Sequence, residues 1–162
     1  MSTDSPCLIR SDNEERAPAM PVRHPLNPSS EVAVRALGRA AGLIRTGVSL
    51  AVLAPGRESF IYPSHHIQEE WLYIIDGYGT AIIDGEDYFI EAGDFMGFPT
   101  PSVAHPLINT GDEDLVYLMG GETGAVEIGE FPELGKVAIR DGGGAYLVDV
   151  SDLSPIAPSN DE

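Results

Sequence analysis

The sequence predicts an antiparallel β-sandwich or barrel preceded by an irregular arm. Short apolar runs rich in strand formers recur along the middle of the chain, each closed by a turn signal. Asp84-Gly85 stands between two such runs and suits a two-residue hairpin turn with positive φ. The 18 glycines and 13 prolines make turns frequent and long helices few. With 162 residues, 43% of them hydrophobic, the chain is long enough for one domain with a sizeable core.

Residues 1–31 read as an extended arm, because Pro6, Pro18, Pro21, Pro25 and Pro28 lie there among mixed charges. Ser29–Gly42 fits a helix capped by Ser29 or Ser30, although Val32-Ala33-Val34 also favours a strand. The barrel is expected over 32–140. Val48–Ala54 is a strand stopped by Pro55-Gly56, and the run beginning at Trp71 ends at Asp76-Gly77. Thr80–Ile90 is the hairpin, Ala92–Pro99 holds a brief strand, and Ala104–Gly121 gives two strands about a turn at Gly111-Asp112. Residues 141–162 read as a C-terminal tail. A small barrel encloses about one small ligand, and its inward residues alternate along each strand.

Composition excludes several functions. Nine basic residues against 26 acidic ones give a net charge of −17, which repels phosphate backbones and anionic membranes, so neither nucleic acid nor membrane is an expected partner. No uncharged apolar stretch could span a bilayer, and the first residues lack a signal-peptide pattern. The single cysteine, Cys7, cannot form an internal disulfide, and a reducing cytoplasm is the natural setting. Lys136 is the only lysine, with nothing around it to activate an amine. Neither a P-loop nor a G-x-S-x-G segment is present.

The chemistry-bearing stretch is YPSHHIQEEW, Tyr62–Trp71, where adjacent histidines precede two acids. Glu70 is followed after six residues by Gly77; Gly93 after five by Pro99; His105 after three by Asn109. These anchors resemble the two motifs of the cupin superfamily, G-x5-H-x-H-x3-4-E-x6-G and G-x5-P-x-G-x2-H-x3-N. The resemblance covers about residues 42–139 and is nearest to small single-domain conserved-barrel proteins, some of them named as sugar-phosphate isomerases. Three departures stand out. The histidines are adjacent rather than alternate, Pro101 replaces a glycine, and one extra residue precedes His105.

The resemblance implies an antiparallel double-stranded β-helix, or jelly-roll, barrel. It also implies a divalent metal ion (manganese, iron, nickel or zinc) held by His65 or His66, with Glu70 and His105. Two imidazoles and a carboxylate leave coordination positions open. His65 and His66 face opposite ways in a regular strand, and a bulge could turn both inward. Glu69 is the candidate acid–base residue. Tyr62, Trp71 and Tyr73 are expected in the barrel wall, Asn109 is expected to satisfy backbone, and His24 has no assigned role. The expected function is a metal-dependent isomerase of a sugar or sugar phosphate, or an iron-dependent oxygenase; the alternative is a non-catalytic ligand-binding or sensor barrel. The phosphate form is disfavoured, since only Arg45, Arg57, Lys136 and Arg140 follow the arm and helix as partners. Cupins commonly pair through sheet edges, so a homodimer is expected, with the arm at its interface.

Overall fold

The structure, a computed structural model, describes residues 5–24, 27–59, 64–131 and 134–154. Its thirteen strands are β1 (Met20–Arg23), β2 (Glu31–Arg35), β3 (Thr46–Leu53), β4 (Ser64–His65), β5 (Glu70–Asp76), β6 (Tyr78–Ile83), β7 (Glu86–Glu91), β8 (Phe95–Phe98), β9 (Leu107–Ile108), β10 (Leu115–Glu122), β11 (Glu127–Phe131), β12 (Lys136–Arg140) and β13 (Ala145–Asp149). One short helix, α1 (Leu37–Ala40), interrupts them. Three sheets form, in the orders β1-β2-β3-β10-β5-β8, β13-β12-β11-β4 and β7-β6-β9. The strand pairs are antiparallel, and together the sheets make a jelly-roll barrel.

The hairpin is built as its sequence requires. Asp84 and Gly85 have φ of 53° and 81°, the double left-handed conformation that Asp-Gly tolerates. Gly77 (φ 79°) ends β5 where an added Cβ would stand 2.5 Å from the Asp114 carbonyl oxygen, so the turn requires glycine.

Ser29–Gly42 divides between the two expected states. Glu31–Arg35 is a strand between β1 and β3, and only Leu37–Ala40 is helical. Val32 is fully buried, so tertiary pairing outweighs local helix propensity. Two strands lie outside the expected barrel limits of 32 and 140: β1 within the arm and β13 within the tail. Both are outermost in their sheets. Pro21 is tolerated in β1 because an edge strand need not donate on both sides. Arg16 and Arg35 hold the arm down by donating to backbone carbonyls, among them Ala40 O and Ala17 O.

The core follows strand alternation. Ala51 and Leu53, Leu72 and Ile74, and Leu115 and Tyr117 are buried pairs two residues apart on β3, β5 and β10. That alternation also puts Glu70 in the inward row of β5, one step beyond Leu72.

Candidate metal centre

The three sheets each bring one element to the same place. His65 ends β4 of the four-stranded sheet, Glu70 begins β5 of the six-stranded sheet, and His105 lies in the segment entering β9 of the three-stranded sheet. His65 Nε2 is 3.1 Å from Glu70 Oε2, and His105 Nε2 is 3.4 Å from the same oxygen.

Local structure explains each placement. The backbone N–H of His65 donates to Ser102 Oγ at 2.6 Å, and the Ser102 N–H donates back to His65 O at 2.8 Å. This clamp ties β4 to the loop that carries His105. The His105 ring stacks on Phe98 at 3.6 Å between centroids, and Phe98 lies directly across from Glu70 in the β5–β8 pairing. Gly121 is opposite Glu70 on its other side, where a Cβ would crowd Glu70 Cγ at 3.1 Å.

Both imidazoles turn Nε2 toward Glu70 and Nδ1 away from it. His105 Nδ1 is 2.7 Å from Val103 O; a carbonyl only accepts, so Nδ1 carries the proton. With Nδ1 turned to that carbonyl, Nε2 is the His105 nitrogen that faces Glu70. His65 Nδ1 lies 3.7 Å from Glu127 Oε1. That distance is too long for a hydrogen bond, and the contact is electrostatic only.

Glu70 Oε2 is buried and receives no aligned hydrogen bond among the described residues. Burial pushes the Glu70 carboxyl up, but the facing His105 and His65 hold it down, to about 2. Burial lowers the His65 pKa, while Glu70 and Glu127 raise it; the outcome is upward.

Two imidazole nitrogens and a carboxylate are a donor set of the type that divalent ions take. Donors bound at about 2.1 Å to one ion lie about 3.0 Å apart along an octahedral edge and about 3.4 Å apart in a tetrahedron. The His65–Glu70 separation is near the first value and the His105–Glu70 separation near the second, so the two do not share one regular geometry. No group of three His, Cys, Asp or Glu side chains among the described residues is placed to hold a metal ion.

Two expected site residues stand elsewhere. His66 points away from the cluster and pairs with Glu130 at 3.2 Å, its side chain 39% exposed. β4 ends at His65, and His66 follows in a bend with its backbone N–H donating to Ile128 O, so the two histidines are not turned inward together. Glu69 is exposed, and its backbone N–H donates to Glu122 Oε2; it lines a second pocket, with Glu70 and Trp71, rather than the cavity that His65 shares. Trp71 lines that cavity, Tyr73 is exposed, and Tyr62 lies outside the described residues. Asn109 satisfies backbone, as expected: its Nδ2 donates to Leu53 O and Glu113 O, and its Oδ1 accepts from the Gly111 N–H. His24 packs on Phe131.

Four residues escaped sequence reasoning in whole or part. Glu127 is buried, and its Oε1 accepts from the backbone N–H groups of His66, Ile67 and Ile128. The cavity, of about 230 Å³, is lined by His65, Glu70 and Trp71 together with Gln68, Glu122 and Arg140. None of Gln68, Glu122, Glu127 and Arg140 belongs to a motif anchored on Glu70 or His105, and only Arg140 had been noted as a spare cation.

Comparison with known proteins identifies the family. The family model described as the cupin domain matches residues 49–121. A solved structure from Acidithiobacillus ferrooxidans, named as a putative sugar phosphate isomerase, is 33% identical, with 94% of this chain and 98% of that chain covered and a TM-score of 0.87. The chain is a cupin. A structure from Silicibacter pomeroyi named as a cupin-superfamily sugar phosphate isomerase is 23% identical, with 86% and 91% covered and a TM-score of 0.77. A Thermotoga maritima structure named as a predicted oxalate decarboxylase is 24% identical, with 71% and 97% covered and a TM-score of 0.60. At those identities the last two bear on this cupin's fold alone. A search of curated proteins finds no match.

Proposed function

We propose that this cupin holds a divalent metal ion through His65, Glu70 and His105 and acts as an isomerase on a small hydroxy-carbonyl compound. The observation that carries the reading is the pointing of two imidazole Nε2 atoms at one buried Glu70 oxygen beneath an open cavity. The likeness to the Acidithiobacillus protein, at 33% identity across nearly the whole chain, favours isomerisation over oxygen chemistry.

A bound divalent ion supplies a Lewis acid that polarises a carbonyl and open positions for an adjacent hydroxyl. The protein supplies the rest. His65 and His105 fix the Glu70 carboxylate, and Trp71 with Leu72 and Met119 gives the cavity an apolar wall that limits water. Glu122 is a cavity carboxylate outside the histidine cluster, and it takes the role of proton carrier. Isomerisation removes a proton from the hydroxyl-bearing carbon and returns it to the former carbonyl carbon. The hydroxyl proton passes to the carbonyl oxygen, and no oxidant is consumed. A homodimer joined at a sheet edge belongs to this reading, since the outer side of β1 has no partner strand among the described residues.

Metal analysis of protein purified without tag or added metal tests the proposal, together with aldose–ketose interconversion followed by NMR. Near-stoichiometric metal, and turnover abolished by chelation and restored by one divalent ion, is the expected result. Stoichiometric metal without turnover on any aldose would favour the binding-module reading instead.

A further inference from the structure

We infer that Arg140 is an anion anchor at the cavity mouth and that the ligand is an anionic hydroxy-carbonyl compound, held by its phosphate or carboxylate group. The inference rests on the isomerase reading for the position of the reacting end, but on different residues for the charged end.

The chain has few cations to spare for a ligand, and two of those that follow the arm are paired with carboxylates. Arg57 faces Glu31 at 3.7 Å, and Lys136 is paired with Asp149 at 2.5 Å. Arg45 does not line the cavity. Arg140 does, alongside His65 and Glu70. Among the described residues it forms no ion pair, although the chain carries 26 acids. Glu127 stands across from it in the β11–β12 pairing without forming an ion pair with it, so the guanidinium at the cavity is open to an anion from outside.

Its orientation is built. Arg140 Nη2 donates to Gln68 Oε1 at 3.0 Å, and the Gln68 amide donates to Val126 O at 3.3 Å and to Gly124 O at 3.5 Å. Gln68 is buried, so a fixed amide steers the guanidinium while its other N–H groups stay available for the bidentate contact that phosphate and carboxylate favour. The same chain bends from His65 through Gln68 to Glu70, which sets anchor and reacting end within one small cavity. A cavity of about 230 Å³ that opens to solvent suits a sugar acid or a short sugar phosphate.

The test is calorimetric titration of metal-loaded protein with ribose, ribose 5-phosphate and glucuronate, using the wild type, Arg140→Gln and Arg140→Lys. We expect the wild type to bind at least one anionic sugar tenfold or more tightly than ribose. Arg140→Gln should remove that preference while leaving ribose affinity unchanged, and Arg140→Lys should restore part of it. Preference for ribose 5-phosphate identifies a phosphate ligand, and preference for glucuronate a carboxylate. Equal affinity of the wild type for charged and uncharged sugars, absence of binding by all three, or full retention of the anion preference in Arg140→Gln would overturn the inference. Metal affinity measured on the same samples separates that failure from failure of the metal centre.

Discussion

Two of the places where the barrel buries polar side chains are wired oppositely. At one, Asn109 uses its amide to tie Leu53 O, Glu113 O and the Gly111 N–H, while its own backbone bonds to Arg57 and Gly56. At the other, Glu70 Oε2 and Glu127 Oε2 are buried without an aligned hydrogen bond among the described residues. A fully satisfied buried group rigidifies the fold; an unsatisfied one is costly and marks a place where something else is expected to bind. Buried polarity alone therefore does not distinguish Asn109 from Glu70. The direction of the unused lone pairs does.

That contrast can be broken most forcefully at the structural cluster. Asn109→Ala strands the buried Leu53 carbonyl and removes the partner of the part-buried Glu113 carbonyl and Gly111 N–H, and should destabilise the protein by about 3 kcal/mol, since a partner lost at a buried group costs about 1–3 kcal/mol and at a part-buried one less. Urea denaturation checks this, and metal affinity of the remaining folded protein should be unchanged.

The metal-free site should show its own signature in pH. The Glu70 carboxyl is held at about 2, below the usual carboxylate range. A depressed carboxylate contributes stability that is present above its unfolded pKa and lost as pH falls through the folded value. Chelated wild-type protein should thus lose stability between about pH 4.5 and about pH 2 by an amount on the order of 2 kcal/mol, reduced from the full linkage by partial exposure. Glu70→Gln should lack that component. Denaturation midpoints across the pH range measure the difference.

A smaller effect is expected one residue further out. Glu127→Gln retains an oxygen for the backbone N–H groups of His66, Ile67 and Ile128 but removes the charge facing His65 Nδ1. Metal affinity should fall about tenfold, the usual scale for a group that orients a ligand, with little change in melting temperature. The smallest effect belongs to Glu69→Gln, whose side chain does not line the cavity; metal affinity should not change measurably.

These residues also show what the sequence could and could not reveal. The Asp84-Gly85 hairpin was legible because its turn is decided by two residues, and Glu70 and His105 because fixed spacings from Gly77 and Asn109 carry them. Strand alternation left the choice between His65 and His66 open, since either could be the inward residue until the register against β11 is known. The strand Glu31–Arg35 competed with a helix because local propensity was balanced and distant strands decided it. β1 and β13 were hidden in proline-rich or polar ends because short edge strands carry weak patterns. Glu127 and Arg140 were illegible as site residues: they come from β11 and β12, far along the chain from Glu70, and come beside His65 only through sheet pairing.

The adjacent histidines offer the most direct test of the metal centre, because they are chemically identical and differ only in the direction they face. Calorimetric titration of wild type, His65→Ala, His66→Ala and His105→Ala with manganese, iron(II), nickel and zinc is the measurement. Loss of His65 or of His105 should weaken metal binding more than tenfold, equivalent to about 1.4 kcal/mol, while loss of His66 should leave it unchanged. Equal large losses at His65 and His66, or unchanged affinity on losing His105, would contradict the centre described here.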